Sequence, residues 1–300
     1  QVVNLADDPD SRVRIQVALT LGESHDPKVA GVLLRMAEDY GTERWMSAAI
    51  LSASSTHYQN MLMGILGSDE IRLGSRLLLR PLAATLAAQR DVPALEHLLE
   101  TIIDSEMSEQ LVCLKGVVDG LRQGDQAWGD LRGIGTSVSV LLTAVPYDLR
   151  LLAVRLAVDF SMKDNPILDR IFSKAVTEVE EDQLPLLRRR QAMEILAYAP
   201  FDVLRPVALR MLSAAYPPEL QIAAAESLGV REEEGAGAAL LEAWSGYTPS
   251  MREVVMRHLF SRINRVAALL QAVEQGRIAA GEISAIRREQ LLRNGSADIA

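Results

Sequence analysis

The chain has 300 residues, of which 49% are hydrophobic and only 4% aromatic, and it carries a net charge of −9 from 31 basic and 40 acidic side chains. This acidic balance argues against a nucleic-acid binder, whose affinity depends on basic side chains that neutralise phosphates. No apolar stretch approaches the roughly 18–20 residues that span a bilayer, so we expect no membrane insertion by this segment.

The composition favours helices. Leu and Ala are abundant, and both suit helix packing. No run of alternating β-branched and aromatic residues predicts a strand. Amphipathic spacing predicts helices, in chain order, at residues 27–39, 56–66, 92–103, 166–179, 203–215 and 235–244.

The strongest pattern is an internal repeat. Residues 9–22 and 216–229 both open on a turn with Pro and an acidic residue, then place an apolar residue fifth, Ala tenth, Leu thirteenth and Gly last. An apolar residue, followed in most copies by Arg, recurs often about 30–40 residues apart, which leaves room for two helices and two turns. The sequence therefore predicts an all-α fold, an α–α superhelix of the HEAT/armadillo-like solenoid type with about seven to nine helix pairs.

We expect residues 1–300 to form a single repeat array. Glycines are dense between residues 116 and 135, so we expect an irregular repeat, with a change of curvature, within residues 116–146. Both ends look truncated from a larger protein, because residues 294–300 resemble the start of another repeat and a repeat array normally ends in a cap.

Five arginines occupy the same place in the repeat pattern: Arg14, Arg72, Arg150, Arg188 and Arg252. We expect a structural role in which each guanidinium pairs with an acidic turn residue of a neighbouring repeat and so fixes the repeat register. The turn residues that offer such a carboxylate are Asp7, Asp8, Asp10, Asp69 and Asp148. The alternative is a row of arginines that grips an anionic ligand.

No pattern for catalysis, for a cofactor or for a metal site is found. The four histidines lack metal-ligand spacing, and no nucleophile elbow, phosphate loop or dinucleotide fingerprint occurs. Cys113, in an apolar context, is expected to be a buried small hydrophobe. Trp45, Trp128 and Trp244 are candidates for a binding platform on a concave face, the alternative being packing between repeats.

The two-helix unit, with its Asp/Pro turn, apolar-Arg step and Ala, resembles HEAT repeats over nearly the whole chain. Residues 13–18, 44–55, 244–252, 275–278 and 286–292 resemble the helical region of planctomycete-type membrane-bound dehydrogenase or haem-binding proteins. In that family a β-propeller precedes the helical repeats and a c-type cytochrome domain follows them. The resemblance implies the middle segment of a bacterial, extracytoplasmic or periplasmic protein. With one cysteine and no Cys-x-x-Cys-His, this chain cannot take over the family's haem attachment.

Three functions are compatible with these observations. The first is a non-catalytic scaffold that contacts proteins or the flanking domains of a parent chain related to sugar dehydrogenases. The second is a carbohydrate- or peptide-binding module that uses the aromatic residues of a concave face. The third, a HEAT-like enzyme of the DNA glycosylase type, is disfavoured by the acidic balance.

Overall fold

In a computed structural model, which describes residues 2–122, 131–144, 146–162 and 164–294, all regular structure is helical. The predicted all-α class is confirmed for those residues. The α-helices are α1 (Ser11–Gly22), α2 (Lys28–Tyr40), α3 (Arg44–Ala53), α4 (Tyr58–Leu66), α5 (Leu73–Ala88), α6 (Val92–Ile103), α7 (Met107–Leu121), α8 (Arg132–Leu142), α9 (Tyr147–Asp159), α10 (Pro166–Glu180), α11 (Leu186–Leu196), α12 (Phe201–Met211), α13 (Pro218–Gly229), α14 (Gly235–Glu242), α15 (Pro249–Leu259), α16 (Ile263–Glu274) and α17 (Ala285–Asn294). Short 3-10 helices lie at Val2–Leu5, Ser54–Thr56, Trp244–Gly246 and Ala280–Glu282.

The chain divides into two compact units, residues 1–167 and 168–300. In the first unit, the odd-numbered helices α1, α3, α5, α7 and α9 pack each on the next, and so do the even-numbered helices α2, α4, α6 and α8. The second unit repeats this arrangement, with α11, α13 and α15 in one series and α12, α14 and α16 in the other. Within each of these series, a helix thus contacts the helix two places further along the chain.

Local sequence signals set where several helices begin. The carboxylate of Asp10 accepts a hydrogen bond from the backbone N–H of Arg12 (2.9 Å), and that of Asp91 accepts from Ala94 (3.1 Å). Such N-cap side chains satisfy N–H groups that have no partner inside the helix. A side-chain hydrogen bond from Arg12 also lowers the pKa of Asp10 to about 2.

Helices α5 and α7 approach each other closely, and two glycines of α7 permit this. A Cβ atom on Gly116 would lie 2.3 Å from the carbonyl oxygen of Arg80, and one on Gly120 would lie 2.1 Å from that of Ala84. A side chain at either position would collide with the backbone of α5. The region expected to be irregular thus begins with a packed helix, while its residues 123–130 lie outside the described residues.

In the described part of the chain, no helix combines the length and the apolar character needed to cross a membrane.

Candidate docking surface on helices α3, α5 and α7

The structure places the five predicted arginines at ion pairs or at backbone carbonyls. Four meet a carboxylate: Arg14 with Glu43, Arg72 with Asp39, Arg188 with Glu178 and Arg252 with Glu282. Arg150 instead donates two hydrogen bonds to the carbonyl oxygen of Ala144 (3.0 and 2.7 Å). The carboxylates that pair with these arginines are thus others than the turn aspartates named from the sequence.

Other arginines, which the repeat pattern did not single out, are more deeply buried. Arg265 donates to the carbonyl oxygens of Gly229 (2.8 Å), His258 (3.1 Å) and Arg231. Arg189 donates to the carbonyl oxygen of Val179 (2.9 Å). Helical spacing could have identified Arg265 as buried, because it stands four residues before Leu269, on the apolar side of α16.

The three tryptophans differ in their surroundings. Trp45, on α3, is 70% exposed, and the guanidinium of Arg44 lies 5.4 Å from the centre of its ring. Trp244 is buried, and its indole N–H donates to Glu282 (3.1 Å). Trp128 lies outside the described residues.

Two side chains with reactive chemistry, Cys113 and His57, are both buried within the described residues. Cys113 is buried, and burial raises the pKa of its thiol to about 12, so the thiolate form is suppressed at neutral pH. His57 is buried, with Nε2 at 2.7 Å from the carbonyl oxygen of Ser24. Across the ranges that the structure describes, no group of three or more His, Cys, Asp or Glu side chains could hold a metal ion.

Large apolar side chains are exposed on three successive odd-numbered helices. Trp45 lies on α3, Leu73 and Leu77 lie on α5, and Met107 begins α7. The exposed fractions are 64% for Leu73, 52% for Leu77 and 53% for Met107. Because α3 packs on α5 and α5 packs on α7, we call these four residues the apolar stripe.

Contacts between α5 and α7 show how the two helices align. Arg76 forms an ion pair with the buried carboxylate of Glu109 (2.6 Å), and its guanidinium also reaches the hydroxyl of Ser108 (3.4 Å). Further along, Gly116 faces Arg80. The helices therefore run parallel, and Met107 lies at the same end as Leu73.

A groove of about 510 Å³ continues from the stripe toward the other end of these helices. It is lined by Arg80, Pro81, Ala84, Asp119 and Arg122. The carboxylate of Asp119 pairs with Arg80 across the groove (2.6 Å). On α5, Arg80 and Ala84 follow Leu73 and Leu77 at spacings of three or four residues, so all four share one face of the helix.

The sequence matches no protein-family model and no curated protein.

Proposed function

We propose that this chain is an α-solenoid of HEAT-like two-helix repeats and that it acts as a non-catalytic scaffold on which other proteins or flanking domains dock. The contacts between helices two places apart, within the odd-numbered and even-numbered series of each unit, support the repeat architecture. The seventeen α-helices of the described residues correspond to eight pairs and one further helix.

The apolar stripe is the observation that carries the docking function. Burying one large apolar side chain is worth about 1.5–3 kcal/mol, so four of them left in water represent unused binding free energy. A single exposed leucine is ordinary, whereas several large exposed apolar side chains on adjacent packed helices are typical of an interaction site. In the parent protein that the family resemblance implies, the domains on either side of the repeats would be candidate partners.

Site-specific photocrosslinking tests this function. A photoreactive phenylalanine analogue would replace Leu77 in the stripe and, as a matched control, Arg35, which is exposed on the even-numbered helix α2. Both variants would be expressed in the organism that the sequence comes from and irradiated in living cells. We expect discrete crosslinked products from position 77 and none from position 35. Equal products from both positions, or none from position 77, would contradict a docking role for the stripe.

A further inference from the structure

One end of the apolar stripe lies beside two acidic loops, one before α5 and one before α7. Their exposed acidic residues are Asp69, Glu70, Asp104 and Glu106. The first loop leads into α5 at Leu73, and the second leads into α7 at Met107. Because α5 and α7 run parallel, both loops lie at the same end of these helices.

These four carboxylates are not neutralised within the part of the chain that the structure describes. There, no Arg, Lys or His nitrogen lies within ion-pair distance of them. The arginines at this end have other partners, since Arg72 pairs with Asp39 (3.1 Å) and Arg76 with Glu109 (2.6 Å). Each helix start carries a partial charge of about +0.5, so the starts of α5 and α7 together offset about one of the four negative charges.

The exposed cations of this surface are too few or too distant to cancel the remaining charge. Arg44 lies on α3, where its guanidinium is 5.4 Å from the centre of the Trp45 ring, and it offsets at most one of the carboxylates. Lys115 stands eight residues after Met107, or about 12 Å further along α7, which exceeds the screening length of about 8 Å at physiological salt. The stripe therefore has an acidic end, next to Leu73 and Met107.

From this arrangement we infer that the apolar stripe binds a basic amphipathic helix of another protein. The inference rests on the proposed docking function and names the chemistry of the partner. Leucine-type residues at spacings of three or four on one face of the partner helix would cover Leu73, Leu77 and Met107. Lys or Arg residues of the same helix would lie over the two acidic loops, and their charges would favour this partner over an acidic one.

Three synthetic peptides test this inference on the whole chain. Two have about 18 residues and the same leucine face at helical spacing, and carry either Lys or Glu at the remaining positions. The third has the composition of the Lys peptide in an order without an apolar face, so it measures attraction to the acidic chain alone. Binding of the fluorescein-labelled peptides would be followed by fluorescence anisotropy. We expect the amphipathic Lys peptide to bind at least about tenfold more tightly than either other peptide, and less tightly at high salt.

Charge reversal in one acidic loop locates the effect. Glu70→Lys should lower the affinity for the amphipathic Lys peptide about fivefold. The control Glu23→Lys changes the net charge equally in the turn after α1 and should leave that affinity unchanged. Leu77→Ala should lower the affinity as well, because it removes part of the apolar contact. All three positions are exposed, so folding should be preserved, and circular dichroism would verify this.

The outcomes separate this inference from the proposed function. If the two amphipathic peptides bind equally and Leu77→Ala weakens both, the basic partner is wrong and docking on the stripe stands. Tighter binding of the Glu peptide, equal binding of the scrambled Lys peptide, or no binding of any peptide also overturns the basic partner, and the crosslinking at position 77 then judges docking independently. Binding of the Lys peptide that is insensitive to both Leu77→Ala and Glu70→Lys would show that this surface is not its site.

Discussion

Arg265 holds a buried guanidinium whose hydrogen bonds go to backbone carbonyls at the end of α13 and beyond it. Those carbonyls have no partner inside their own helix, so the arginine satisfies groups that burial would otherwise leave unpaired. We expect Arg265→Met to lower the free energy of unfolding by about 2–4 kcal/mol. Urea denaturation followed by circular dichroism measures this change.

A neighbouring arginine provides the control. Arg262 pairs with Glu232 (3.0 Å), and both side chains are well exposed. Surface ion pairs contribute at most about 1 kcal/mol, so Arg262→Gln should have a small effect. Equal destabilisation by the two substitutions would show that the buried hydrogen bonds of Arg265 are not the cause of the lower free energy of unfolding.

His258 makes the stability of the second unit sensitive to acid. Burial, with the charges of Arg257 and Arg265, lowers the pKa of His258 to about 4, from 6.5, and its Nε2 atom has no hydrogen-bond partner. Between these values the unfolded chain binds a proton that the native histidine does not, so the free energy of unfolding falls as the pH falls toward 4. Urea midpoints at pH 7 and pH 5 should differ less in His258→Gln than in the wild type. An unchanged difference would rule out His258 as the source.

Residue spacing in the sequence singled out one series of arginines and did not single out Arg265 or Arg189. A regular series of arginines indicated ion pairs between repeats, and four of the five meet a carboxylate. Which carboxylate each arginine meets depends on how neighbouring helices stack. Spacing along the chain does not give the distance between side chains on different helices. The sequence also did not predict the apolar stripe. Helix α5 has leucines on several sides, so the spacing of its apolar residues does not distinguish the exposed Leu77 from the buried Leu78.

At the scale of helices, the packing of α5 on α7 depends on the missing side chain of Gly120. Replacing glycine inside a helix normally stabilises it by up to about 1 kcal/mol, because glycine costs more backbone entropy. A side chain at residue 120, however, would overlap the carbonyl oxygen of Ala84. We expect Gly120→Val to lower the thermal unfolding midpoint, with a destabilisation of about 1–3 kcal/mol.

Gly31 on α2 is the matched control for this substitution. No atom lies within 4 Å of a Cβ atom built at Gly31. Gly31→Val should therefore keep or slightly raise the unfolding midpoint. If Gly120→Val raised the midpoint as Gly31→Val does, the close approach of α5 and α7 would be wrong.

Helix boundaries were predictable where the sequence marks them. The prediction for residues 92–103 agrees with α6, because Asp91 caps its start and Pro93 lies in its first turn. Residues 203–215 were predicted as one helix, whereas α12 spans Phe201–Met211. Its end was missed because Leu212 and the small residues after it continue a helix-compatible composition, so neither glycine nor proline marks the last turn.

At the scale of the whole molecule, the proposed solenoid predicts that a destabilising substitution affects only the helices near the substituted residue. In a repeat array each two-helix repeat contacts only its neighbouring repeats, so the loss of one contact opens helices locally. In a single shared core, the same loss would destabilise every helix. Hydrogen exchange measured by mass spectrometry distinguishes the two cases.

Gly120→Val should reduce amide protection in α5 and α7 while α1 and α2 keep theirs. Arg265→Met should reduce protection in α13 and α16 while α10 keeps its own. Uniform loss of amide protection throughout the compact unit that carries the substitution would mean that all its helices share one cooperative core. The solenoid proposal would then be wrong.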